Sequence, residues 1–117
     1  MTPDDFRRLA LALPQVVEGA HMDHPDFRVG GKIFATLSSA ASGALGMVKL
    51  KPEQQEMLTT AEPAMFQPVP GGWGRTGSTH VVLAAADETT ARGALTTAWR
   101  NTAPARIAAL LDDGGAA

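Results

Sequence analysis

A chain of 117 residues without a single cysteine is one domain, large enough to bury a core unaided, and it excludes disulfides, thiolate-bound zinc and thiol catalysis together. Its formal net charge of −2, with 44% hydrophobic and 19% charged residues, is that of an ordinary soluble chain, and it lacks the basic excess usual in a protein devoted to sequence-independent duplex binding. No apolar run approaches the roughly 20 residues that cross a bilayer, and the acidic N-terminus is unlike a signal peptide, so a cytoplasmic protein, not engaged with a membrane, is expected.

Thr2-Pro3-Asp4-Asp5 is a helix start: an N-cap, a proline at the first helical position and two acids on the positive end of the dipole. Phe6, Leu9, Ala10 and Leu13 follow at helical spacing, and Pro14 ends the run. Gln15 to Ala20 suits a short strand. Asp26 to Ser38 holds two β-prone runs hinged on Gly30-Gly31, whose freedom to take positive φ fits a two-residue hairpin turn. Ser39 to Gly43 reads as an exposed connection and Leu45 to Leu50 as another strand. Pro52-Glu53 opens a helix in which Met57, Leu58 and Ala61 face the core. Glu62 to Gly74 is rich in Pro and Gly yet carries Met65, Phe66, Val69 and Trp73, so it is expected to pack down as a loop. Thr79 to Ala84 is a strand. Asp87 caps a third helix with Ala91, Ala94, Leu95, Ala98, Trp99 and Thr102 along one face, which places Trp99 in the core. Pro104 starts a short last helix with Ile107, Leu110 and Leu111; residues 112–117 form a flexible tail beyond a single domain of residues 1–111. Short turns between strands give an antiparallel sheet, so the fold class is α+β: about five strands with helices packed on one face.

The hairpin, the Gly72-Trp73-Gly74-Arg75-Thr76-Gly77-Ser78-Thr79 segment and the Ala98-Trp99-Arg100-Asn101-Thr102-Ala103-Pro104 segment together resemble the MmcQ/YjbR family. Val48-Lys49-Leu50 and the Leu11-Ala12-Leu13-Pro14 helix end fit the same pattern. The resemblance spans about Pro3 to Ile107. It implies a CyaY-like α+β fold and a DNA-binding label that rests on likeness of shape to winged DNA binders, and it supplies no catalytic residues.

The residues themselves point to binding. His21-Met22-Asp23-His24-Pro25-Asp26 has metal-ligand types but not the spacing of a recognised zinc or iron site, so a polar loop without metal is expected. Ser78, His80 and a distant Asp make no activated triad, and the paired acids sit at helix starts or in the tail, so no catalytic residue, no cofactor and no enzymatic activity are expected. Gly71 to Gly77 is a phosphate cradle in composition only, since it lacks the P-loop Lys-Ser/Thr and precedes a strand. That leaves the cations. Arg28 and Lys32 flank the hairpin turn, Lys49 and Lys51 end a strand, and Arg75 sits beside Trp73. Hairpin and loop then act as two wings on the phosphates of double-stranded DNA. The alternative is a module for a protein or small-molecule partner, with Met65, Phe66 and Trp73 in one wall.

Overall fold

The computed structural model describes residues 1–40 and 43–115. Helix α1 (Pro3–Leu11) begins with a capping box: the Asp5 N–H donates to Thr2 Oγ1 (3.1 Å) and the Thr2 N–H donates to Asp5 Oδ2 (2.8 Å). Four strands follow, β1 (Val17–His21), β2 (His24–Val29), β3 (Lys32–Ala40) and β4 (Gly43–Lys49). Helix α2 (Pro52–Ala61), strand β5 (Phe66–Pro68), the one-turn helix α3 (Gly72–Arg75) and strand β6 (Ser78–Val82) come next. A 3-10 turn (Leu83–Ala85) leads to α4 (Glu88–Thr102) and α5 (Ala105–Gly115).

The strands form one antiparallel sheet of six, in the order β1-β2-β3-β4-β6-β5. The sixth strand is β5, inside the segment expected as a packed loop; three residues ending in Pro68 carry too little pattern to read as a strand. Residues 41 and 42 of the expected Ser39–Gly43 connection lie outside the described residues, and β3 and β4 pair up to Ala40 and Gly43 on either side. Helix α5 runs past Leu111 to Gly115, so the tail residues described are helical, and residues 116–117 lie outside the description.

Register decides which side chains meet the helices. One row, Phe66, Val81, Gly46 and Leu37, and a second, Thr79, Val48, Ala35 and Phe27, face α1 and α4, and every side chain in them is buried. A bulge at Phe27/Arg28 leaves Phe34 as the extra residue of β3, which allows Phe34 and its neighbour Ala35 both to enter the core. Helix α4 presents Ala91, Ala94, Leu95, Ala98 and Trp99 to this face, and the Trp99 Nε1–H donates to the Pro14 carbonyl (3.0 Å). Helix α2 stays peripheral. Of its three expected core residues only Leu58 packs on the core, while Met57 is 68% exposed and Ala61 is exposed, because the α1–α4 pair already covers the sheet. No helix among the described residues is long and apolar enough to cross a membrane.

Candidate functional site

Among the described residues, the opposite face of the sheet carries none of the long helices and is bordered by the one-turn α3. The register aligns Asp26, Thr36, Met47, His80 and Gln67 across it in one row. Thr36, Met47 and His80 form the floor of a cleft of about 390 Å³, with Ser38, Ile33 and His21 at one side and Lys49, Ser78, Val69 and Trp73 at the other. Burial on the floor pushes the His80 pKa below its ordinary value, which favours the neutral imidazole.

Trp73 forms the lip of this cleft and is 67% exposed. It rides on α3, whose position is set by backbone contact: a Cβ on Gly74 would overlap the Val69 carbonyl. Gln55 of α2 ties the same turn down, its Nε2 donating to the Gly74 and Ser78 carbonyls (3.0 Å each). Gly74 and Gly77, where a Cβ would overlap the Val69 and Leu50 carbonyls, thus serve close packing, and Gly71 takes a positive φ of +82°, which together are the physical reason for glycines here without a phosphate motif.

At the β1–β2 side, Asp26 is fully buried and carries three contacts. Arg28 Nε donates to Oδ1 (2.8 Å), Arg28 Nη2 donates to Oδ2 (3.1 Å), and His21 Nδ1 lies 2.8 Å from Oδ2. The Arg28 fork, aided by His21 and opposed by burial, holds the Asp26 pKa down at about 2. Arg28 is therefore not a free cation; its side chain is 40% exposed and its guanidinium is engaged by a carboxylate.

Lys32, Lys49, Lys51 and Arg75 form no ion pair among the described residues, whereas Arg7, Arg8, Arg92 and Arg100 each do. Lys32 and Lys49 line a cavity of about 450 Å³ with Arg28 and Asn101. Lys49 and Lys51 line the next, of about 310 Å³, with Trp73 and Asn101. Lys49 also borders the open-face cleft, so it stands where three depressions meet. Asn101 Nδ2 fixes this corner, donating to the Lys49 carbonyl (3.2 Å) and to Gln54 Oε1 (2.7 Å). Arg75 is exposed on α3 and lines none of the three.

Two expectations need correction. The β2–β3 turn, with Gly30 and Gly31 at φ +60° and +82°, is not a free wing: a Cβ on Gly30 would come within 2.7 Å of Pro104, so that side of the turn rests on the α4–α5 junction, while Gly31 stands in open space. Met65 and Phe66, expected in a binding wall, are 2% and 1% exposed and belong to the core: Phe66 pairs with Val81 in the row that faces the helices, and Met65, just before β5, is held by the Val82 N–H donating to its carbonyl (2.8 Å). Of that segment Val69 and Trp73 reach the cleft. The His21–Asp26 cluster spans the ends of β1 and β2 and their turn, and among the described residues no three His, Asp or Glu side chains gather as a metal site. Sequence spacing does not single out the floor residues Thr36, Met47 and His80 as a set, since only strand register brings them together.

The sequence matches the family model described as YjbR over residues 11–101. In fold it is similar to the crystal structure of a Deinococcus radiodurans protein with a DUF419 domain: TM-score 0.69, 22% identity, 84% of this chain and 75% of that chain covered. No curated protein matches it in sequence.

Proposed function

The chain belongs to the YjbR family, and on that basis we propose that it is a DNA-binding protein whose phosphate contacts are made by Lys32, Lys49 and Lys51, with Arg75 at the margin. The supporting observation is that three lysines without carboxylate partners among the described residues line adjoining depressions that meet at Lys49. A run of cations along a continuous groove suits a phosphodiester backbone, which presents one charge per nucleotide and releases counterions when neutralised. Arg28 takes a structural part in this reading, since Asp26 already engages it.

The reading is of a cytoplasmic binding module and not of an enzyme. Ser78 and His80 both line the cleft, but the nearest role for each is as a hydrogen-bonding wall residue. Lys49→Glu should weaken binding of a labelled DNA at least tenfold. It should also flatten the salt dependence by more than one phosphate's worth, since the glutamate adds a repulsive charge. Affinity equal to that of the unaltered protein would remove the lysine groove from the account. The mixed apolar and hydroxyl lining of the cleft favours a second reading, a small-ligand module; Lys32→Glu with Arg75→Glu should abolish DNA binding and leave that activity intact.

A further inference from the structure

We propose that the DNA bound here is single-stranded, and that one unpaired base enters the open-face cleft to stack on Trp73 while its neighbouring phosphates lie along Lys49 and Lys51. The inference rests on the DNA-binding reading and names the form of DNA that the site accepts. Three independent features lead to it.

The first is Trp73 itself. A large aromatic, 67% exposed, stands at the rim of a concavity on a turn anchored by Gln55 and by the Gly74–Val69 backbone contact. A solvent-facing indole on an anchored turn is a stacking platform, and every base has a π-face to offer it. The second is continuity. Lys49 borders both the cleft and the cavity that holds Lys51, so a base in one and a phosphate in the other are neighbours on the same surface. The third is the lining. Thr36, Ser38, Ser78 and a neutral-leaning His80 offer both donors and acceptors, which suits the free edge of a base.

A duplex fits less well. Its bases are stacked and paired, so none can enter the cleft without being flipped out. The hairpin that would act as a wing lies against Pro104. With a net charge of −2, three or four cations give modest backbone affinity, and stacking supplies what electrostatics does not.

The test compares a labelled single strand of about 12 nucleotides, within the range one such groove spans, with the duplex of the same sequence. Binding is read by fluorescence anisotropy on the full chain, using the unaltered protein, Trp73→Ala and Trp73→Phe. Trp73 is exposed, so both variants should fold, and circular dichroism checks this. The expected result is single-strand binding at least tenfold tighter than duplex binding. Trp73→Ala should weaken it about 5- to 150-fold, the worth of one stacked base, and Trp73→Phe should retain most of it. Duplex binding as tight as or tighter than single-strand binding would overturn the inference and leave the DNA-binding reading standing. Single-strand preference unchanged in Trp73→Ala would overturn the stacking role. No binding of either form would overturn both.

Discussion

Asp26 is the residue whose surroundings do most to determine its behaviour. A fully buried carboxylate between the Arg28 fork and His21 keeps its proton off down to about pH 2. Its folded-state pKa lies below the ordinary 3.8, so its stabilisation is present above about pH 5 and is lost as pH falls from 4 towards 2. A shift of that size corresponds to roughly 2 kcal/mol. Asp26→Asn should therefore lose about 1–2 kcal/mol at pH 7 in urea unfolding and show a flatter stability profile between pH 5 and 2. The contact of Asp26 with Arg28 was within reach of the sequence, because residues two apart on a strand share a face, although the expectation there makes Arg28 a phosphate ligand instead. The His21 contact was not, since it comes from a neighbouring strand through a register that no local pattern states.

Among the elements, the β1–β2 turn is strained and α3 is tightly packed. Met22 and Asp23 both have positive φ, +48° and +64°, in a turn that ordinarily takes Asn-Gly. Replacing them, Met22→Asn with Asp23→Gly, should raise stability by about 1 kcal/mol in thermal or urea unfolding. Helix α3 is the reverse case, a place where added bulk has nowhere to go. Gly74→Ala should displace the turn from Val69, costing about 2–3 kcal/mol in urea unfolding, and move Trp73 from the lip of the cleft. The long elements were readable from sequence because they obey one period throughout: the alanine-lined stripe of α4 is buried as expected. The short ones, β5 and α3, were not, since three or four residues give no period and their placement depends on Gln55, Val69 and β6.

For the whole molecule, one sheet face is covered by α1 and α4 and the other is open, and this asymmetry creates the site. The fold class followed from alternating strands, short turns and amphipathic helices. The candidate site was legible in part. The cations Lys32, Lys49 and Lys51 were readable as surface charges, and they lie along adjoining depressions, Lys49 half-buried between them. The floor beneath them was not readable, because Thr36, Met47 and His80 come from three strands far apart in sequence. If the proposed DNA binding holds, a molecule of net charge −2 does it through a local groove, and its affinity should depend on salt with a shallow slope.

The sharpest test is an anisotropy titration of labelled DNA across a salt series with the unaltered chain. Three or four phosphate contacts predict that log affinity falls with log salt at a slope of about −2 to −4. No measurable binding at low salt, where a lysine groove acts most strongly, would contradict the account.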